Sequence, residues 1–159
     1  MKNKKYELTA ETRDGLFRIR AKVAFGTIAA GELGGFIATE HNLSVSGDAW
    51  VFGDASVSGD AQVSGDAQVF GDARVCGHAR VSGDARVRDD ASFLLIGPIG
   101  SRRASLSIHV DTKIKVRYTT GCFSGSRAEL LAAVKKTHKA GTLYRKQYEA
   151  ALVMAKLVK

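Results

Sequence analysis

The sequence predicts a mainly β protein: a parallel β-solenoid through the middle of the chain, followed by a small basic α+β cap. Three observations carry this. Eight consecutive hexads (VSGDAW, VFGDAS, VSGDAQ, VSGDAQ, VFGDAR, VCGHAR, VSGDAR, VRDDAS) run from Val45 to Ser92 without insertion or deletion. Beyond Gly97 the hexads stop, and apolar alternation followed by helical spacing replaces them. The charge divides at the same place. Residues 1–100 carry 11 Lys+Arg against 13 Asp+Glu and residues 101–159 carry 13 against 3, within a formal net charge of +8. Either an anionic partner or a solvated basic surface accounts for that asymmetry.

Residues 1–32 read as N-terminal capping strands. From Phe17 to Val23 apolar and basic residues alternate, as on an edge strand with one wet face. Tyr6, Leu8 and this strand are expected to cover the open end of the solenoid, since terminal repeats need protection against edge pairing. The solenoid is expected over residues 33–98. LGGFIATEHNLS supplies two degenerate hexads in register with the later ones: Leu33, Thr39 and Val45 are six apart, with Ile37 and Leu43 on the Ala place. A period of six suits neither a helix nor a free strand; such units bury their apolar face only by stacking. Val at the first place and Ala at the fifth are expected inside, each buried Val contributing about 1.5–3 kcal/mol against ordering entropy. Gly97 to Ser101 reads as the exit.

Residues 99–159 read as a ββαα unit. Leu106, Ile108 and Val110 alternate with polar residues, Asp111-Thr112-Lys113 follows, and Ile114, Val116 and Tyr118 alternate again, as in a hairpin. Ser126 and Glu129 form a capping box before Leu130, Leu131 and Val134, and Ala140-Gly141 ends that helix. A second helix is expected from about Leu143, with Leu143, Tyr148, Ala151, Leu152 and Ala155 on its apolar side.

The repeat resembles the hexapeptide motif of left-handed parallel β-helices, which implies triangular coils of about eighteen residues; a right-handed helix of the same period is the alternative. Under that resemblance Val45/Val63/Val81, Val51/Val69/Val87 and Val57/Val75/Phe93 form interior columns. The outward second places form Ser46/Ser64/Ser82, Phe52/Phe70/Arg88 and Ser58/Cys76/Leu94. Phe52 and Phe70, with Arg88, are the expected interface of a homotrimer, the assembly usual among such helices, unless the C-terminal cap folds over that face. Arg74, Arg80 and Arg86 fall on three faces at one height, a ring rather than a patch. The columns Asp48/Asp66/Asp84 and Asp54/Asp72/Asp90 suit hydrogen bonds to turn N–H groups better than a calcium site, which needs six to eight converging oxygens. No metal is expected.

No apolar run approaches the ~20 residues of a membrane span. Met1 to Tyr6 has lysines without an apolar stretch, so no signal peptide is expected. Cys76 and Cys122 are isolated and fit a reducing cytoplasm. Many hexapeptide-repeat proteins are acyltransferases with a catalytic His and an inserted loop. Here no loop interrupts the hexads, and His41, His78, His109 and His138 assemble no nucleophile, base and orienter. The expected activity is binding without catalysis or cofactor; an acyltransferase is an alternative.

Two longer runs widen the resemblance. RIRAKVAFGTIAAGELGGFIATEHNLSVSGDAWVFGDASV (Arg18–Val57) resembles the leading part of hexapeptide-repeat proteins of phages, prophages and enterobacteria. LLIGPIGSRRASLSIHV with GCFSGSRAELLAAVKKTHKAGTLYRKQYEAALVMAKL resembles a C-terminal module of small phage proteins, departing from it at Arg103 and Ala140. The resemblance implies phage origin, action in the cytoplasm of an infected bacterial host, and a counter-defence role by association with other small accessory proteins. Two targets follow: an anionic nucleotide signal, or an acidic host defence protein, as for an anti-CRISPR. Non-specific nucleic-acid contact is compatible with the charge. For an anion, Gly121 to Ser126 places backbone N–H groups before a helix. The expected site is Gly125 and Ser126 surrounded by Arg102, Arg103, Lys115, Arg117 and Arg127.

Overall fold

A computed structural model describes residues 3–88 and 93–158. An antiparallel pair, β1 (Tyr6–Arg13) and β2 (Leu16–Ala21), leads into β3 (Leu33–Ile37). Seven two-residue strands follow at six-residue steps: β4 (Trp50–Val51), β5 (Ser56–Val57), β6 (Gln62–Val63), β7 (Gln68–Val69), β8 (Arg74–Val75), β9 (Arg80–Val81) and β10 (Arg86–Val87). Each of the first four pairs in parallel with the strand eighteen residues on: Trp50 with Gln68, Ser56 with Arg74, Gln62 with Arg80, Gln68 with Arg86. Three parallel ladders result: β3-β5-β8, β4-β7-β10, and β6-β9 headed by a bridge from Leu43. The middle of the chain is a β-solenoid repeat.

Inside it, Val51, Val57, Val63, Val69, Val75, Val81 and Val87 at the first place and Ala49 to Ala85 at the fifth are all buried. In one Asp column the Asp48 N–H donates to Asp66 Oδ1 of the next coil at 3.1 Å, whereas Asp54 of the other accepts from Arg13 and Asp84 from Lys113. Glycines of successive coils lie almost in contact. Gly65 has φ +68°, and a Cβ there would sit 3.0 Å from Gly83 N. Gly65→Ala is expected to cost about 1–2 kcal/mol through left-handed backbone strain, read as a lower urea midpoint with unchanged m.

Several expectations need correction. Phe36 pairs with Ser56, Ile37 with Val57 and Leu43 with Val63, an offset of twenty, so Ile37 and Leu43 occupy the Val place rather than the Ala place. The two extra residues are absorbed between Ser44 and Asp48, and Val45 is 55% exposed instead of heading an interior column. A shift of two preserves which face points inward; a shift of one would not. β2 is internal, flanked by β1 and β3, so it is not an edge strand. The last solenoid strand ends at Val87. Asp89 to Ser92, including the expected Asp90, lie outside the described residues.

The C-terminal part has four strands where the sequence suggested two: β11 (Phe93–Ile99), β12 (Ala104–Asp111), β13 (Lys115–Thr120) and β14 (Phe123–Gly125), antiparallel in that order. Phe93, expected in a solenoid column, pairs with His109 and packs partly against the solenoid core. Two helices complete it, α1 (Arg127–Thr137) and α2 (Leu143–Met154). The Ser126–Glu129 capping box forms. Tyr148, Ala151, Leu152 and Ala155 are buried as expected, but Leu143 is 67% exposed at the first turn of α2. Among the described residues, no helix is long and apolar enough to cross a membrane.

Each end of the solenoid is finished by side chains. In the second coil Gly65 O and Ala67 O accept from the N–H groups of Ala49 and Trp50 above. In the first coil the equivalent oxygens of Gly47 and Ala49 have no coil above them, and Lys5 Nζ donates to both at 2.9 Å. Tyr6 Oη donates to Leu43 O at 2.7 Å, doing the same for the neighbouring ladder. Trp50, fully buried, fills the interior beneath Phe25 and Tyr6. At the far end β12 covers the last coil. Leu106 and Ile108 join the core beneath α1 and α2. The opposite face is polar: Ser107 Oγ accepts from the Arg80 N–H at 2.9 Å, and Asp111 bridges to Ala85.

Candidate anion-binding site

The seven expected site residues do not converge. Arg102 and Arg103 lie in the β11–β12 turn, and Lys115 lies at the opposite end of the β12–β13 hairpin, where it pairs with Asp111. At about 3.4 Å per residue, the length of β12 separates them by roughly 20 Å. Arg103 is exposed at φ +49°, and Arg102 lines a separate cavity.

Arg117 is engaged elsewhere. Its Nε donates to Asp111 Oδ2 at 2.6 Å, its Nη1 to Ser124 Oγ at 3.3 Å, and the guanidinium packs over Gly83. The Asp111 side chain is fully buried. Burial pushes its carboxyl up, but Arg117 and the N–H groups of Ile114 and Lys113 outweigh this and hold it below the usual range. Beside it, Lys113 Nζ meets Asp84 at 2.8 Å. These contacts fasten the hairpin to the last coil.

The segment before α1 is not an open cradle. Phe123 to Gly125 is strand β14, with Gly125 paired to Tyr118. The helix start already holds a carboxylate: Glu129 Oε2 accepts from the Ser126 N–H at 2.7 Å and from its hydroxyl at 2.8 Å. Those two contacts, with Arg117 adding, keep Glu129 below its ordinary pKa. A ligand anion there would compete with the chain's own.

What the structure does assemble is Lys115 from β13, Ser126 and Arg127 at the start of α1, and Lys156 just after α2. They line an open depression of about 380 Å³ with Val116, Tyr118, Leu152 and Val158 on its floor. No carboxylate among the described residues lines it. Burial raises the Tyr118 hydroxyl, and the Arg127 charge opposes the rise. Three cations beside an apolar floor suit a ligand with an anionic and a flat apolar part. Lys156 escaped the sequence reading: it is exposed and lies beyond α2, and its one signal was its place beside the buried Ala155.

The other expected groups lie apart from this depression. Arg74, Arg80 and Arg86 are exposed, one on each ladder, as a ring would be. Phe52 and Phe70 are each half-buried rather than exposed, and Phe52 packs against the solenoid core beside Thr27 and Ile28; Arg88 is exposed. His78 faces Asp60 at 3.3 Å on the surface.

Ladder pairing and cap together define the chain as a β-solenoid repeat protein with a basic α+β cap. Residues 61–77 and 73–89 match the family model described as YdcK Beta solenoid repeat. That similarity covers the later repeats and leaves the earlier ones and the cap outside it. No curated protein matches the chain.

Proposed function

We propose that this is a non-catalytic binding protein that sequesters an anionic nucleotide. The observation that supports it is the convergence of Lys115, Arg127 and Lys156 on one depression with an apolar floor. Phosphates would lie against the three cations and the base against Tyr118 and Val116. In this reading the solenoid winds left-handed and three copies associate through the face carrying Phe52, Phe70 and Arg88. The setting is the cytoplasm of a phage-infected bacterium, where capture of an immune nucleotide signal protects the phage.

Calorimetry at low ionic strength with cyclic di- and trinucleotides tests the proposal. Saturable binding is expected, weakened about tenfold or more by Lys115→Gln with Arg127→Gln, and weakened by added salt. Absence of heat with every nucleotide overturns it. The basic surface also fits an acidic protein; capture of a host protein that survives nuclease treatment, with no nucleotide binding, would favour that reading instead.

A further inference from the structure

The other end of the cap holds a second cavity, of about 290 Å³, independent of the Lys115 depression. Leu106, Thr120 and Phe123 lie opposite one another on β12, β13 and β14, so their side chains share the face toward the helices. Leu130 and Val134 of α1, both buried, complete an apolar floor. Into this floor is set Thr120 Oγ1, buried and without a hydrogen-bond partner. A buried hydroxyl left unpaired costs about 1–3 kcal/mol, an arrangement that makes sense where a ligand supplies the partner. The rim carries Arg102, exposed and in no ion pair among the described residues. It also carries the His138 ring, stacked on Tyr148 at 6.1 Å and 19°, and the exposed thiol of Cys122.

We infer that this cavity binds a small organic carboxylate. Its apolar body rests on Leu130, Val134 and Phe123, its charge meets the Arg102 guanidinium, and one oxygen accepts from Thr120 Oγ1. The volume admits a compact monoanion, and the single unpaired guanidinium matches one charge. This site stands or falls apart from the nucleotide reading, because it shares no residue with the Lys115 depression.

Cys122 provides the readout. In the Cys76→Ser protein it is the remaining thiol of two, and its rate of alkylation by iodoacetamide reports occupancy. Benzoate, phenylacetate and hexanoate are the probes; phenylacetamide and acetate supply the body and the charge separately. At least one probe is expected to slow alkylation saturably, and both controls to need about tenfold more or fail. Arg102→Gln is expected to raise the concentration needed about tenfold. Thr120→Val is expected to raise the melting temperature while weakening the probe, a combination that a purely structural threonine would not produce. No saturable protection by any probe, or equal protection in Arg102→Gln, overturns the inference.

Discussion

Lys5→Met is expected to lower stability by about 3 kcal/mol. The methionine keeps the apolar stem but removes the donor to Ser44 O, Gly47 O and Ala49 O. Each charge-assisted bond contributes about 1.5–3 kcal/mol, offset by relief of ammonium burial. Burial is indeed the main influence on Lys5, lowering its pKa against the pull of Asp48 and Asp66. Lys5 Nζ also sits 4.3 Å from the Phe25 ring centre, which adds a smaller cation–π contribution. Urea unfolding gives the stability, and hydrogen exchange should show the loss concentrated at the amides of the first coil. A midpoint unchanged from the parent would mean that those carbonyls find other donors, and the account of the N-terminal end fails.

Acid is expected to loosen the opposite end through His109. This imidazole is fully buried between β12 and the last coil, and neither ring nitrogen makes a hydrogen bond of good geometry, the Ser82 main chain being its polar neighbour. Burial lowers its pKa from 6.5 to about 4; the Ser82 main chain and Asp111 oppose the shift and Arg117 adds to it. The unfolded chain takes up this proton as pH falls through 6.5, whereas the folded chain resists until about 4. Stability is therefore intact above about pH 6.5 and declines between there and about pH 4, by up to about 3 kcal/mol. Asp111, with its depressed carboxyl, loses its contribution only at lower pH, below the ordinary carboxylate range. His109→Leu should flatten the urea midpoint between about pH 6.5 and 4 and leave or raise stability at neutral pH. A parent protein whose midpoint is flat over that interval refutes the role given to His109.

The repeats were legible because a strict six-residue period requires stacking, and the resemblance to hexapeptide helices supplied the eighteen-residue coil; residues eighteen apart do pair, as Trp50, Gln68 and Arg86 show. The degenerate hexads misled by two residues because alternation reports only the facing of Ile37 and Leu43. The α1 cap was legible from Ser126 and Glu129, since its partners are three residues apart. The same pair hid its consequence, which is that the helix start is already filled. β11 and β14 were missed because Phe93 to Ile99 looks like a decaying repeat and Phe123 to Gly125 is too short to alternate visibly. At the candidate site, Lys115, Ser126 and Arg127 line one depression, while Arg117 is engaged by Asp111 and Arg102 lies at the far end of the sheet. Charge composition gives the number of cations, whereas partners distant in sequence decide which stay free.

Within the solenoid, the described hydrogen bonds of the Lys5 and Tyr6 side chains go only to the uppermost rung, and the contacts of Ser107 and Asp111 only to the lowest. The tower between these two lids has no fixed number of storeys. Duplicating or excising one eighteen-residue block, Val51 to Gln68 for instance, changes its height and leaves both lids seated, so the chain can lengthen its reach without redesigning either tip.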